Sequence, residues 1–257
     1  MYFLKQHFRV TSALVIREME ARFGSKPGGY VWAIADPLAH VMTMTALFSV
    51  LARVPPLGTD FALFFASGYL PFAFYQAMAA YVAASVKANK QLFSYPIVSP
   101  VDAVTARYIL QLMTSVVVTI VVLAICTTEI RHIGDLDLWT AIEAVTLASM
   151  MGLGIGMANV ALFAASSLYE QIFNMINRPL FMVSGVILVP DSMPHPFSDY
   201  MMWNPLVHVI MWFRSAIYPE YTATGLDKFF VIKTVMILIF CGLSLFTGSR
   251  ILREERL

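Results

Sequence analysis

The stretch MMWNPLVHVIMWFRSAIYPEY (201–221) decides whether the chain has six or seven segments that cross a membrane. Most of the stretch is apolar, but it contains two prolines and, between them, His208 and Arg214. A helix that faces lipid would expose these polar groups to hydrocarbon at a high cost in free energy. The stretch therefore predicts something other than an ordinary spanning helix.

The composition places the whole chain in a membrane. Its 257 residues are 59% hydrophobic and only 13% charged, whereas a soluble domain has roughly 25% charged residues. The net charge of +1 favours no nucleic-acid partner. Cys126 and Cys241 lie in apolar runs and are interpreted as small buried hydrophobes, not as a disulfide or metal pair. We therefore predict an all-α integral membrane protein.

Six segments are predicted to span the bilayer, since a spanning helix needs about 20 apolar residues. Five of them meet that length directly, at about 31–52, 61–83, 104–126, 141–165 and 228–249. The remaining one, 172–190, must turn Asn174, Asn177 and Arg178 toward a protein interior or the cytoplasmic interface. The transmembrane domain is predicted to cover residues 30–257.

The distribution of lysine and arginine predicts that both termini are cytoplasmic. With six spans, the flanking residues on one side carry most of the 17 basic residues: Lys5, Arg9, Arg17, Arg22, Lys26, Lys87, Lys90, Arg107, Arg178, Arg250, Arg253 and Arg256. The opposite side carries the rest: Arg53, Arg131, Arg214, Lys228 and Lys233. A seventh span would place the arginine-rich C-terminus outside, which this rule disfavours.

With six spans, residues 191–227 lie on the outer side, and they are too many for a loop without structure. We predict a re-entrant hairpin at about 200–217, between spans five and six, with Asn204 capping a helix and Pro205 in its first turn. The alternative is a helix that lies flat at the outer interface, anchored by aromatic residues. Arg214 would snorkel outward or face a polar lumen.

The cytoplasmic parts predict contacts with the membrane surface and with a soluble partner. Residues 1–29 mix apolar and basic residues in the pattern of an amphipathic helix at the inner leaflet, which either only anchors the chain or also acts as a lever. The loops at 85–100 and 166–179 interleave apolar and polar residues, which favours short helices that insert into a cleft of a soluble protein. The residues predicted to make that contact are Lys90, Gln91, Leu92, Phe93, Ser94, Tyr95, Pro96, Tyr169 and Glu170.

The sequence contains no motif for catalysis, nucleotide binding or metal binding. A phosphate-binding GxxxxGK[ST] loop is absent, and the five histidines have no metal-ligand spacing. The run GLGIG (152–156) lies within a span, so Gly152 and Gly156 are interpreted as a helix-packing surface. The aromatic residues of the second span could stack on sugar rings, although packing or lipid contact explains any single one equally well.

Taken together, these features resemble the permease subunit of ABC-2 type exporters of capsular polysaccharide (KpsM-like), with O-antigen exporter permeases as relatives. The resemblance covers nearly the whole length, and its motifs are NKQLFSYPIVSP (89–100), SGVILVPDSMP (184–194) and NPLVHVIMWFR (204–214). Many members of the family carry an acid at the position of Met211. Arg214 lacks that partner here, and its role stays open among substrate, lipid headgroup and another pairing.

The resemblance implies a homodimer bound to two ATP-binding cassette subunits, which hold ATP and Mg, so that this chain is neither an enzyme nor a cofactor-binding protein. It implies export of a lipid-anchored acidic polysaccharide across the bacterial inner membrane, with a periplasmic adaptor and an outer-membrane channel as further partners. We expect a channel at the dimer interface formed by spans one, two and five. The residues predicted to line the path are Tyr69, Phe72, Tyr75, Arg178, Asn204, His208 and Arg214.

Other functions stay open at this point. Within the transporters, the cargo could be O-antigen, teichoic acid or a drug. A different class is a membrane scaffold or a lipid-modifying enzyme that transports nothing. The lack of an acid–base or metal cluster argues against the enzyme.

Overall fold

The computed structural model describes residues 2–24, 28–51, 54–127 and 136–249, and all regular structure in these ranges is helical. The predicted all-α class is confirmed. The helices within these ranges are α1 Tyr2–Met19, α2 Val31–Leu51, α3 Phe61–Ala83, α4 Ser85–Asn89, α5 Pro100–Thr127, α6 Leu138–Ala165, α7 Ser167–Val183, α8 Phe197–Met202, α9 Pro205–Ile217 and α10 Lys228–Gly248. Short π- and 3₁₀-helical turns lie at Glu20–Gly24, Lys90–Ser94 and Pro190–Ser192.

Among the described helices, five are long and apolar enough to cross a membrane: α2, α3, α5, α6 and α10. They coincide with the five spans predicted from length, except that the third and fourth begin earlier, at Pro100 and Leu138. Asp60, Asp137 and Asp227 cap α3, α6 and α10 because each carboxylate accepts a backbone N–H of the first turn. Local sequence therefore sets where these three helices begin.

The predicted segment 172–190 does not form one helix. Its helix, α7, begins at Ser167 and ends at Val183, so the last residues of the predicted span are not helical. Gly185 has a φ of 81°, a left-handed conformation that glycine adopts at little steric cost and that turns the chain out of the helix. With 17 residues, α7 is shorter than the five helices that qualify as spans.

Helix α6 packs closely against α3 on one side and α10 on the other. A Cβ atom on Gly152 would lie 2.7 Å from the Met78 Cβ, and one on Gly156 would lie 2.7 Å from the Val82 Cβ. Gly154 meets the α10 backbone in the same way. The interpretation of this glycine run as a packing surface is confirmed, since only glycine lets the helices approach so closely.

Helix α9 is enclosed by the rest of the protein. Ten of its 13 residues are buried and none is exposed, because it packs against α3, α6 and α10. The predicted start is confirmed, since the Asn204 side chain accepts the Leu206 N–H at 3.0 Å and Pro205 occupies the first turn. A helix lying flat on a surface would keep one exposed face, and α9 has none.

Candidate functional site

A cavity with a polar lining lies among helices that otherwise have the composition of membrane spans. It has a volume of about 640 Å3 and is walled by α2, α3, α5 and α7. We call it the polar groove, and its polar lining residues are Arg22, Asp36, Tyr69, Gln76, Gln111, Thr114, Ser115, Thr119, Asn174 and Asn177. Most of them are uncharged amides and hydroxyls, which both donate and accept hydrogen bonds.

Three amide side chains of the polar groove, Gln76, Asn174 and Asn177, have no hydrogen-bond partner within the described part of the chain. Moving an unpaired amide from water into hydrocarbon costs roughly 4–8 kcal/mol, so these groups need water or a polar ligand. The structure thus brings together in one lining the two asparagines that the sequence turned toward a protein interior or the cytoplasmic interface, and Asn174 is exposed there. Arg178, also predicted for the path, has a side chain outside the described residues.

Of the three aromatic residues predicted to line the path, only Tyr69 lies in the polar groove. Its ring stacks on His40 with 4.5 Å between centroids and meets Phe181 edge-on. Phe72 and Tyr75 are 1% and 3% exposed and belong to the apolar core between α3, α6, α9 and α10. Such burial does not fit a place in the lining, because α3 turns these two rings away from the groove.

Arg214 is fully buried. Its two terminal nitrogens donate hydrogen bonds to the carbonyl oxygens of Gly185 at 2.8 Å and Val186 at 2.6 Å. The guanidinium also lies 4.6 Å from the centre of the Phe64 ring. The expectation that its charge reaches the surface or a polar lumen is wrong for this conformation, because Arg214 instead ties α9 to the turn that ends α7.

Asn204 and His208 also hold α9 in place. The Asn204 amide donates to the Ser184 hydroxyl at 3.2 Å, next to the same turn. His208 is 3% exposed, its Nε2 lies 2.8 Å from the Met202 carbonyl, and its Nδ1 accepts the Asp227 N–H at 3.2 Å. Two such partners assign the ring proton to Nε2. Neither side chain lines the polar groove, although the sequence predicted that both line the path of the substrate.

The two predicted partner-binding loops lie side by side. The Lys87 ammonium is 3.9 Å from the Glu170 carboxylate, which connects α4 to α7. Lys90 and Phe93 line one cavity together with Glu170. The Tyr169 hydroxyl donates a hydrogen bond to the Asn159 side chain of α6 at 3.2 Å.

We call residues 85–99 the coupling loop, and its exposed apolar tip consists of Tyr95, which was among the predicted contact residues, and Ile97, which was not. Leu92 and Phe93 are half-buried, whereas Tyr95 and Ile97 are 62% and 56% exposed. The other predicted contact residues on this loop are exposed around the tip: Lys90, Gln91, Ser94 and Pro96. Any apolar contact with a soluble partner would therefore start at Tyr95 and Ile97.

A buried ion pair joins α1 to α5 beside the coupling loop. Arg107 donates to both carboxylate oxygens of Glu18, at 3.0 and 3.1 Å, and each side chain is 8% exposed. Asn89, the last residue of α4, donates to Glu18 at 2.6 Å, and the Tyr81 hydroxyl donates at 2.9 Å. Burial opposes ionisation, but the hydrogen bonds from Arg107 and Asn89 and the Arg107 charge outweigh it and hold the pKa of Glu18 below its ordinary value. One carboxylate thus connects α1, α3, α4 and α5.

Two further contacts place one polar face of α1 and of the turn that follows it against α5. His7 lies 2.9 Å from the Asp102 carboxylate, and Arg22 donates to Gln111 at 2.6 Å. His7, Glu18 and Arg22 lie on one side of the chain's first helical segment, as a helical repeat requires. Sequence reasoning predicted an amphipathic helix at the inner leaflet but missed this face, for which the acid at position 18 was the available signal.

Comparison with protein families shows which family this chain belongs to. The model of the ABC-2 type transporter family matches residues 9–218, a range that contains the polar groove, the coupling loop and Arg214. The chain belongs to the ABC-2 type transporter family. ABC-2 proteins are membrane subunits of transporters, and the five apolar helices described above make this one a multi-pass membrane protein.

This ABC-2 chain is similar to several named proteins. It is 26% identical over 234 residues to the polysialic acid transport protein KpsM of Escherichia coli, covering 91% of each chain. It is 21% identical over 240 residues to the capsule polysaccharide export inner-membrane protein CtrC of Neisseria meningitidis, covering 92% of this chain and 89% of the relative. It is also 21% identical over 216 residues to the O-antigen export system permease protein RfbA of Klebsiella pneumoniae, covering 83% and 82%.

Proposed function

We propose that this chain is the membrane subunit of an ATP-driven exporter that moves lipid-linked acidic capsular polysaccharide across the bacterial inner membrane. Relatives named for polysialic acid transport and capsule polysaccharide export resemble it over about nine tenths of its length. The observation that carries the proposal is the polar groove, because a path for sugars through apolar helices needs hydrogen-bonding groups there.

The groove suits a moving acidic polymer because its lining is mostly neutral. Gln76, Asn174 and Asn177 offer amide groups with no partner within the described ranges, and these can bond to sugar hydroxyls one after another. Transport requires binding that is favourable enough for entry and weak enough for release. A row of fixed cations would hold the carboxylates of the polymer, whereas amides and hydroxyls let them pass.

The topology of the proposal has six crossings with both termini in the cytoplasm. Helix α7 together with the turn that follows it makes the fifth crossing, and α8 with α9 forms a re-entrant hairpin from the outer side. Helix α1 lies at the inner interface with Phe8 and Ile16, which are 75% and 57% exposed, toward lipid. Two copies pair so that the α2, α3 and α7 walls of their polar grooves face each other across a shared channel.

In this proposal, partner subunits that bind ATP supply the energy for export. Each copy binds one ATP-binding cassette subunit, which holds ATP and Mg, through the coupling loop and the start of α7. A periplasmic adaptor and an outer-membrane channel receive the polymer. ATP-driven closure of the cassette subunits moves the coupling loop, and the Glu18 network passes this motion to α1 and α5.

The exposed tip of the coupling loop gives the first test. Changing Tyr95→Asp and Ile97→Asp together is expected to reduce recovery of the cassette subunit with the purified chain at least tenfold, since buried aromatic and aliphatic anchors dominate such interfaces. The matched control is Phe197→Asp with Tyr200→Asp, which changes an exposed apolar pair on α8. Normal recovery and normal export for the loop variant would exclude this docking site.

The polar groove gives the second test. Asn174→Leu with Asn177→Leu is expected to lower surface polysaccharide at least tenfold, with lipid-linked polymer accumulating inside the cell. The melting temperature should stay the same or rise, because the two amides have no partner among the described residues to lose. Gln171→Leu, an exposed α7 residue outside the groove lining, is the control. Unchanged export in the double variant would contradict the proposed path of the polymer through the polar groove.

Export of O-antigen is the second candidate, favoured by the similarity to the O-antigen permease. Deleting the gene in its native strain distinguishes capsular polysaccharide from O-antigen as the cargo. Loss of capsule with intact O-antigen supports the proposal, and the reverse result supports the second candidate. Loss of neither would mean that the chain exports a different cargo.

A further inference from the structure

A cavity between the first turns of α6 and the start of α10 has no role in the proposed function. It has a volume of about 560 Å3 and is walled by α6, α9 and α10, none of which lines the polar groove. Ligand pockets commonly measure about 300–1,000 Å3. We call this cavity the outer slot, and its apolar lining residues are Trp139, Ile142, Leu147, Trp212 and Ile232.

The rim of the outer slot is an exposed apolar surface on two spanning helices. Trp139 and Ile142 of α6 are 70% and 55% exposed, and Ile232 of α10 is exposed across from them. The proposed dimer pairs through α2, α3 and α7, so this surface stays on the outside of the dimer. Apolar side chains on the outside of spanning helices are covered by acyl chains. The slot therefore opens toward lipid.

Two opposite charges line the outer slot without meeting each other. Glu143 lies within α6, is half-buried, and has no hydrogen bond or ion pair with another residue that the structure describes. An ionisable group inside a spanning helix is costly and normally has a partner. Lys228 begins α10, and its ammonium lies 4.3 Å from the centre of the Trp212 ring, a cation–π contact that holds it over the cavity.

The neighbouring Asp137 does not take up the Lys228 charge. Its carboxylate accepts the N–H groups of Trp139 and Thr140 at 3.1 and 3.2 Å and so caps α6. The two side chains are near enough to attract but form no ion pair within the described part of the chain. A lysine ammonium has three donors, so Lys228 can also bind an anionic group in the slot.

A headgroup that carries both a phosphate and a primary ammonium matches these two charges. The phosphate would accept from Lys228, and the ammonium would donate to the carboxylate of Glu143. The trimethylated ammonium of phosphatidylcholine has no hydrogen to donate. The headgroup of phosphatidylglycerol carries only negative charge, so it would leave Glu143 without a partner and be repelled by it.

We propose that the outer slot binds one molecule of phosphatidylethanolamine, with its phosphate at Lys228, its ammonium at Glu143 and an acyl chain along the apolar walls. The lipid would contact Trp212, which lies on the opposite face of α9 from Arg214 because two residues turn a helix by about 200°. Arg214 ties one face of α9 to the turn after α7, and the lipid supports the other. The lipid comes from the outer leaflet in the proposed topology, whatever the cargo.

Photolabelling with three lipids tests the outer slot. The full-length chain with its cassette subunit is placed in phosphatidylcholine nanodiscs that contain a small fraction of one probe. The probe is phosphatidylethanolamine, phosphatidylcholine or phosphatidylglycerol with the same diazirine-bearing acyl chain. We expect label on peptides that contain Ile142 or Ile232, at least fivefold stronger for phosphatidylethanolamine than for phosphatidylglycerol, since only the former makes the charge-assisted hydrogen bond to Glu143.

Variants of the two charges have different expected effects. Glu143→Gln should reduce the preference for phosphatidylethanolamine over phosphatidylglycerol to about twofold or less, and Glu143→Lys should reverse it. Lys228→Gln should weaken labelling by all three probes, because they share the phosphate. Glu220→Gln and Lys233→Gln remove the same charges at exposed positions outside the lining of the slot and should change nothing.

Thermal stability gives an independent readout. Glu143→Gln should fold normally, since Glu143 has no partner among the described residues to lose. The melting temperature of the wild type should be higher in nanodiscs with phosphatidylethanolamine than in phosphatidylcholine alone, because a bound ligand stabilises the folded state. This difference should disappear in Glu143→Gln.

Three results would overturn the inference. Equal labelling by the three probes would mean ordinary contact with the bilayer. Absence of label from the Ile142 and Ile232 peptides would mean that a second copy or another protein covers this face. An unchanged lipid preference in Glu143→Gln would mean that the carboxylate does not read the headgroup. A failure to export capsular polysaccharide, in contrast, would contradict the proposed function and leave these binding results unaffected.

Discussion

Arg214→Leu is expected to destabilise the protein by about 3–5 kcal/mol, since it removes two hydrogen bonds from a charged donor and leaves two buried carbonyl groups unpaired. Leucine fills much of the same volume, so the loss comes from the carbonyl groups of Gly185 and Val186 and not from a cavity. The turn that ends α7 should separate from α9. We expect an apparent melting temperature in detergent lower by about 6–15 °C, and loss of export.

Gly68→Ala tests the same contact without removing the charge. A Cβ atom on Gly68 would lie 2.7 Å from an Arg214 nitrogen and 2.8 Å from the Val186 carbonyl oxygen, so the guanidinium must shift. Gly248→Ala is the matched control, because a Cβ there meets nothing within 4 Å. We expect destabilisation at Gly68 and none at Gly248. In the Arg214→Leu background the Gly68 change should cost less, since the two residues act on one contact.

The Arg214 variants also separate two roles for the charge. A structural tie predicts that melting temperature and export fall together, and that Arg214→Lys is intermediate because one ammonium cannot reproduce the planar fork. A cation that contacts the polymer predicts lost export at unchanged stability. Unchanged melting in Arg214→Leu would therefore contradict the structural role and favour the path residue that the sequence suggested.

Span positions could be predicted from the sequence because each depends on neighbouring residues alone. An apolar run of sufficient length predicts a spanning helix, and an aspartate or asparagine before it marks the start. The start of α9 at Asn204 and Pro205 was predicted for this reason. The end of α7 was predicted wrongly, because the apolar residues after Gly185 look helical by composition although the chain turns there.

The candidate site depends on contacts between distant residues, which spacing in the sequence does not encode. Arg214 binds carbonyl groups 28 and 29 residues away, and a carbonyl acceptor leaves no mark in a sequence. Phe72 and Tyr75 lie in the core and not in the groove for a related reason, since almost all residues of α3 are apolar or aromatic and the pattern does not say which face is core. Asn174 and Asn177 were predicted to face a protein interior or the cytoplasmic interface because an amide within an apolar segment has few other places to lie, and both line the polar groove.

Glu18→Gln is expected to loosen α1 from α5 and to uncouple ATP hydrolysis from export. The change leaves Arg107 buried with its charge unpaired, which typically costs about 3–5 kcal/mol when one member of a buried pair is removed. The hydrogen bond that Asn89 of α4 donates to residue 18 is lost or weakened at the same time. The amide of glutamine has only one oxygen, which must accept from both Arg107 and Asn89. The cassette subunit should still bind, but its ATPase rate should no longer respond to the polymer.

The pH dependence of this pair has a definite sign. The pKa of Glu18 in the folded protein lies below its ordinary value, so the ionised carboxylate stabilises the fold at neutral pH. That contribution is complete above the unfolded pKa of about 4.3 and is lost as the pH falls through the folded pKa. Between pH 6 and 8 the Glu18→Gln effect should therefore stay constant.

A double-variant cycle decides whether Glu18 and Arg107 act as a pair. Glu18→Gln and Arg107→Gln should each lower the melting temperature and speed amide exchange in α1, while the double variant should lose less than the sum because no buried charge is left unpaired. Asp199→Ala breaks an exposed pair with His195 and serves as the control with little change. If the two losses simply add, or if α1 exchange is unchanged in either single variant, the ion pair does not hold α1. Loss of coupling between ATP hydrolysis and export with intact protection of α1 would place the transmission in the coupling loop alone, since the proposed function docks the cassette subunit on that loop.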